Sequence, residues 1–373
     1  MKALAPFRIW LPVIMLVVVG LLSIASAGEP GRFARQLVWV LSGAVLAGLV
    51  VVIGVDNLLK HAYLLYLAGL AALVLVLFTR AVNNTHAWFD FGLFKVQPSE
   101  LFRPILLLVL AKFLGERMEG EFALRPGRLR REAPKYTAAA VMVLVPVILV
   151  GLEPDVGVAL AFLLLAAILF FSSGISWQIT GLGIGAGIAG IAVVYNWVLS
   201  VSQQTRIAAW INPAAYSKSA AWQMIRSRLA IGSGGFWGKG WGQGEMNRLG
   251  LVPVNDSDFI LSVVAEELGF VMVLVLVACY IWILWECVAV AWDSKDAKDG
   301  LVAVGVGGYL AAQAALNIGV AVGVLPTTGV TLPFVSYGGS SMVSNMVMVA
   351  MALSVALAGR KNFSELSRHL PNA

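Results

Sequence analysis

Long apolar runs separated by short charged breaks dominate the chain from residue 9 onward. A helix needs about 20 mostly apolar residues to cross the hydrocarbon core of a bilayer. That rule predicts ten spans, at roughly 9–27, 35–55, 61–79, 98–115, 136–152, 156–173, 176–201, 259–285, 301–325 and 341–358. One long polar stretch, about 202–257, separates the seventh and eighth. The expected fold class is therefore an all-α integral membrane protein, a single polytopic domain over 1–373. It has ten transmembrane helices with a large extracytoplasmic loop between helices 7 and 8. The first apolar run follows Lys2 and Arg8 and is followed at once by a second, so a retained signal-anchor helix is expected rather than a cleaved peptide.

The polar stretch carries a pattern of its own. Trp222, Ile225, Leu229 and Ile231 recur at helical spacing, which predicts a short amphipathic helix lying at the membrane interface. A glycine-rich, turn-forming piece follows over 232–242, and Trp210, Trp237 and Trp241 add interfacial aromatics. No internal repeat is visible, which argues against an inverted-repeat transporter.

Composition agrees with the pattern. Of 373 residues, 60% are hydrophobic and only 12% charged, and the mean hydropathy is +0.87. Soluble domains are about half apolar and a quarter charged. The net charge of +6 comes from basic residues that flank the spans and form no single stripe, which argues against a nucleic-acid surface. Lys and Arg counting then orients the chain. Lys2, Arg8, Lys60, the run from Arg117 to Lys135, Lys295, Lys298, Arg360, Lys361 and Arg368 fall on one side. The opposite short loops hold only Arg32, Arg35, Arg80 and Lys95. Both termini are expected in the cytoplasm, and the loops 80–97 and 202–257 outside. The cluster from Arg125 to Arg131 would touch the lipids of the inner leaflet. Cys279 and Cys287 read as inert core thiols, and His61, His86 and His369 are too scattered for a metal site.

Charged groups inside so apolar a chain are the candidates for chemistry, because an ionisable residue at membrane depth is expensive. Asp258 stands at the start of the eighth span, as an N-cap, a working acid or both. Ser262 and Glu266 follow at i+4 and i+8 and can share its face, with Glu267 beside them. Glu100 opens the fourth span with Arg103 three residues on, an expected ion pair that shapes a cavity. Asp155, in a tight outer turn, reads as a helix cap and a lip of that cavity. The segment from Gly323 to Gly339 is polar and bent between two spans. Irregular backbone there must be buried in protein or line water. P-loop, zinc, nucleophile-elbow and Rossmann motifs are absent. These residues describe an outward-facing acidic cavity under a basic, Trp-rich loop, suited to an amphiphile with an anionic head.

Several stretches resemble the SEDS family (shape, elongation, division and sporulation; the RodA and FtsW type). They are Val96-Gln97-Pro98-Ser99-Glu100, Glu153-Pro154-Asp155-Val156-Gly157, and Ala230-Ile231-Gly232-Ser233-Gly234-Gly235 with Lys239. Ser257-Asp258-Phe259-Ile260 and Ala265-Glu266-Glu267-Leu268-Gly269 follow. Asn317-Ile318-Gly319, Gly323 to Pro333, and Ser336-Tyr337-Gly338-Gly339 close the series, in the family's order. The short tails are closer to the RodA type.

The resemblance implies a peptidoglycan glycosyltransferase that polymerises lipid II, an undecaprenyl-pyrophosphate-linked glycan, at the outer face of the bacterial cytoplasmic membrane. It implies a class B penicillin-binding protein as partner and a divalent cation, Mg²⁺ or Mn²⁺. The family's essential aspartate falls on Asp258, as general base. Glu100, Arg103, Asp155, Glu266 and Ser336 fall in the substrate cavity. Arg206 and Lys239 are candidates to neutralise the departing pyrophosphate, and Asp258 with Asp256 to hold the cation. Five positions depart from the family's pattern: Ala87 replaces an arginine, Arg103 a lysine and Glu153 a glutamine, while Asp256-Ser257 stands for His-Thr. The extra acid at Asp256 is expected to raise the pKa of Asp258 or help hold a cation. The competing readings are a catalytically weak scaffold for the penicillin-binding protein and a flippase for lipid-linked precursors.

Overall fold

A computed structural model describes residues 5–27, 31–79, 86–92, 94–118, 129–175, 181, 183, 185, 200–219, 221–252 and 256–369. It is mostly helical. The amino-terminal part comprises α1 (Ala5–Ala27), α2 (Arg32–Ile53), α3 (Val55–Lys60), α4 (Ala62–Val76), α5 (Pro98–Gly115), α6 (Leu129–Leu152) and α7 (Val156–Ser172). The carboxy-terminal part comprises α8 (Val201–Ile211), α9 (Trp222–Ser233), α10 (Glu245–Arg248), α11 (Ile260–Asp293), α12 (Ala297–Ala321) and α13 (Gly339–His369).

Six stretches among the described residues are long and apolar enough to cross a membrane. They are Arg8–Ala27, Arg32–Ile53, Pro134–Leu152, Ile260–Asp293, Ala297–Ala321 and Gly339–Gly359. The helices α4 and α7 are apolar but shorter. The chain is a membrane protein. The expected spans at 9–27, 35–55, 98–115, 136–152 and 156–173 match helices to within a few residues. The stretch expected as a seventh span, 176–201, falls almost wholly outside the described residues, as do the side chains from Arg125 to Arg131.

Glycines decide where several helices stop or break. Gly54, at φ 82, ends α2, and the backbone N–H of Val55 restarts the helix against Ser354 Oγ at 2.8 Å. Gly269, at φ 80 and ψ 178, interrupts α11, so Glu266 and Glu267 belong to a short initial piece and not to a continuous span. All 34 residues of α11 would measure about 50 Å at 1.5 Å per residue, far more than a bilayer core needs.

The centre of the molecule is α13. Its Gly339–Gly359 span is 72% buried, against 17% for α2, whose other face meets lipid. Packed together are α11 with α12, α2 with α13, α1 with α11, α4 with α5, and α7 with α12. The loop before α5 holds a two-stranded antiparallel hairpin that the apolar pattern did not predict, β1 (Phe89–Asp90) on β2 (Lys95–Val96). Of the polar stretch 202–257, α9 stands where the amphipathic helix was predicted, but it buries Met224, Ser227 and Ala230 and leaves Leu229 of the predicted face exposed, because packing and not spacing chose the face. The helix α8 and the single turn of α10 were not foreseen.

Candidate active site

The segment 322–338 between α12 and α13 is irregular and enters the protein rather than solvent: Val330, Leu332, Phe334 and Val335 are all buried. Buried backbone polar groups need partners, and side chains from several elements supply them. Gln313 Nε2 donates to Thr331 O at 3.0 Å, and Tyr280 OH donates to Pro333 O at 2.7 Å. On the other side, Gln36 Nε2 donates to Ser336 O at 3.3 Å, and Gln36 Oε1 accepts from the Gly338 N–H at 3.2 Å. Gly20 lies so close that a Cβ there would stand 2.6 Å from Val335 O.

This segment carries the turn 256–258. Ser336 Oγ donates to Ser257 O at 2.6 Å and accepts from the Leu332 N–H at 2.8 Å. Tyr337 N–H donates to Asp256 O at 2.7 Å, and Asn317 Nδ2 reaches both Asp258 O (3.0 Å) and Val330 O (2.8 Å). Ser336 therefore holds the turn that carries Asp258 through its backbone, a supporting role.

Asp258 is half-buried. The N-cap of α11 is the next residue, Phe259, with no side-chain cap bond, so the reading of Asp258 as a helix cap is not realised. Its Oδ2 lies 4.0 Å from where a Cβ on Gly329 would stand. Burial pushes its carboxyl above the usual carboxylate range. The Arg206 charge and a bond from Ser257 oppose that shift, and Asp155 and Asp256 add to it. Asp256 ranks last among these causes. It is buried and forms an ion pair with Arg32, whose guanidinium also stands 5.5 Å from the centre of the Tyr337 ring. The expected upward push of Asp256 on Asp258 is present, and it is the smallest of these causes, its charge being paired with Arg32.

Opposite Asp258 stands the start of α7. Asp155 caps that helix as expected, accepting from Val158 N–H at 3.1 Å, and its other oxygen takes Gln97 Nε2 at 2.8 Å. A Cβ on Gly157 would meet Thr328 O at 2.4 Å, so α7 and the irregular segment touch through glycine. Behind Asp155, Glu100 and Arg103 form the expected buried ion pair, with Arg103 over the Tyr309 ring at 5.9 Å. Glu153 is fully buried, and among the described residues neither carboxyl oxygen has a well-formed hydrogen bond, Ser99 being the hydroxyl beside it. Burial, with Asp155 beside it, pushes its carboxyl up to about 8, so at neutral pH it is largely the neutral acid.

Glu266 and Lys239 meet each other and not Asp258. Glu266 Oε1 accepts from Lys239 Nζ at 2.9 Å and from Met246 N–H at 3.0 Å. Glu267 accepts from Ser26 Oγ (2.6 Å), Gly242 N–H (2.9 Å) and Asn247 Nδ2 (3.1 Å). The adjacent backbone pairs too, Lys239 N–H to Glu266 O and Gly240 N–H to Glu267 O. The two acids clamp the glycine-rich loop onto the break in α11. Lys239 is thus engaged in that clamp, which leaves Arg206 as the candidate near Asp258.

Sequence reasoning missed Arg32, Gln36 and the basic groove of α8 and α9. Arg32 counted only as a loop charge, and its partner lies 224 residues away.

A polytopic helical membrane protein with buried carboxylates beside a basic groove is the class that this geometry defines. The chain belongs to the FtsW/RodA/SpoVE family, described as cell cycle proteins, which matches residues 3–361. It is 30% identical to the peptidoglycan glycosyltransferase MrdB of Escherichia coli K12, over 89% of this chain and 87% of that one. It is 34% identical to a probable peptidoglycan glycosyltransferase FtsW of Halorhodospira halophila, over 90% and 86%. Among solved structures, the rod shape determining protein RodA of Thermus thermophilus is 31% identical with a TM-score of 0.68, covering 94% of this chain and 95% of that chain. A chain solved in a peptidoglycan synthase complex is 30% identical with a TM-score of 0.80, covering 95% and 98%.

Proposed function

We infer that this protein is a peptidoglycan glycosyltransferase that extends glycan strands from lipid II, with Asp258 as general base. The observation that carries the reading is Asp258 itself. It is a half-buried carboxylate, free of helix capping, on a turn pinned at three backbone atoms and under the charge of Arg206. Fixing the backbone fixes the base, and a positioned base contributes about 10²–10⁴-fold.

In this reaction the acceptor's 4-hydroxyl oxygen attacks the anomeric carbon of the donor, and its proton passes to Asp258. The new C–O bond forms as the bond to the diphosphate breaks. The electron pair leaves with undecaprenyl diphosphate, and configuration inverts. Arg206 offers positive charge to that developing anion. A divalent cation fits only if shared with the substrate. No group of three acidic, histidine or cysteine ligands occurs among the described residues, and Asp256 is committed to Arg32. Mg²⁺ or Mn²⁺ would be held by Asp258 with the diphosphate oxygens, and would supply further neutralisation of the leaving group. The protein works in the cytoplasmic membrane, with ten spans, both termini inside and the 202–257 segment outside. A class B penicillin-binding protein is its partner. Support comes from the bias of Lys and Arg in the flanks and from the likeness to a chain of a peptidoglycan synthase complex.

The test is polymerisation of labelled lipid II by the purified chain with its partner and Mg²⁺ or Mn²⁺. Glycan strands are expected from the wild type. Asp258→Asn, folded and partner-bound, is expected to lose about 10²-fold or more. Unchanged synthesis by Asp258→Asn would remove the assigned base.

A further inference from the structure

A groove of about 790 Å³ opens between α8, α9 and the start of the irregular segment, lined among others by Ser202, Arg206, Lys218, Trp222, Gln223 and Thr327. Its walls contain two cations, hydroxyls, an amide and an indole, and no carboxylate. Neither Arg206 nor Lys218 forms an ion pair among the described residues, whereas Lys239 in the same outer segment is paired with Glu266 and Glu245. The Trp222 indole is held by Arg226, 4.1 Å from its ring centre, which steadies the wall. Both helices are tethered. Gln203 Nε2 of α8 donates to Pro154 O at 3.3 Å, next to Asp155, and Ser227 Oγ of α9 donates to Ala321 O at 2.8 Å. The groove is thus anchored to the turn before α7 and to the end of α12, and its volume is in the range of small-ligand sites.

Resting on the function proposed above, we propose that this groove seats the diphosphate of the glycosyl donor, with Lys218 as a second binding cation beside Arg206. Two diphosphates take part in each turnover, one on the donor and one on the acceptor. The acceptor's diphosphate lies a whole disaccharide away from the 4-hydroxyl that Asp258 deprotonates. The donor's diphosphate is bonded to the carbon that this hydroxyl attacks, so it must lie close to the base. Arg206 is the cation near enough to oppose the pKa rise of Asp258, and it lines the groove. A groove entered past Arg206 therefore suits the donor. Its hydroxyls and Trp222 suit the first sugar, by hydrogen bonding and stacking.

The test measures binding of undecaprenyl diphosphate to the full-length chain in nanodiscs, with inorganic pyrophosphate and phosphatidylglycerol as separate probes. Binding to the wild type sets the reference. Lys218→Gln should weaken it about 10-fold, the scale of one charge-assisted contact. Lys218→Glu should weaken it further, and Lys218→Arg should restore it. A lipid-linked disaccharide with its 4-hydroxyl blocked, which can act only as donor, should show the same ranking. Equal binding by wild type and Lys218→Glu, with Asp258→Asn inactive, would overturn the donor site and leave the glycosyltransferase reading standing. Phosphatidylglycerol binding as strong as that of the diphosphate would make the groove a general lipid-headgroup site and would also overturn the proposal. Full polymerisation by Asp258→Asn would instead sink the reading on which the proposal rests.

Discussion

Asp258 and Arg206 are coupled by charge, and that coupling has a sign. As the proposed base Asp258 would work as the carboxylate, so activity is expected to fall as pH drops through its raised pKa. Arg206 holds that pKa down. Removing the cation with Arg206→Gln should move the acid limb of the kcat/KM profile to higher pH, which a pH–rate series on both proteins would read. Glu153 behaves differently. In the unfolded chain it loses its proton near 4.5, whereas in the fold it keeps the proton up to about 8. Between those values the folded state binds more protons, so stability falls as pH rises through that window. Glu153→Gln removes the slope. Its melting temperature should exceed the wild type's by more at pH 8 than at pH 5. A neutral Glu153 also presents a polar group much like the glutamine it replaces in the family pattern.

Among the elements, the break in α11 has the clearest physical cause. Gly269 has φ 80, and a Cβ there would stand 2.3 Å from Gly238 N. Opposite it, a Cβ on Gly234 would fall 1.9 Å from Ala265 O. The glycine-rich loop and the α11 break approach each other through backbone, and Glu266 and Glu267 then tie them together. Gly269→Ala should cost about 2 kcal/mol or more, from strain at a left-handed φ and a clash. The thermal transition in detergent should fall by several degrees, and an unchanged transition would mean that the loop does not dock there. The motifs that surround this break were visible in the sequence as Ala265 to Gly269 and Gly232 to Gly235. Their mutual contact was not, because spacing along a chain does not report which glycines face each other.

For the molecule as a whole, orientation is the open quantity that labelling can measure. A cysteine at the exposed Ser217 should react with a membrane-impermeant thiol reagent in intact spheroplasts. One at the exposed Lys295 should react only after permeabilisation. The native Cys279 and Cys287 are buried and should stay silent. Reaction at Lys295 before permeabilisation would reverse the assigned sides. Most helices, their approximate limits and the buried Glu100–Arg103 pair were legible because apolar length and i, i+3 spacing are local properties. The hairpin at Phe89 and the helix α8 were not, since polar loops carry no apolar period to read.

Sequence alone determined that this is a helical membrane protein, and it singled out Asp258, Asp155 and Glu100 as its costly charges. It did so because lipid admits few ionisable groups, and those few stand out against an apolar background. The resemblance to the family was likewise complete in the order of its motifs. Only the tertiary structure decided which charges remain available for chemistry. It paired Asp256 with Arg32 and Lys239 with Glu266, drew Glu267 into a clamp, and left Asp258 with Arg206 beside an open basic groove. The reason is distance along the chain. An ion pair is settled by which helices pack together, and neither composition nor local spacing encodes that packing.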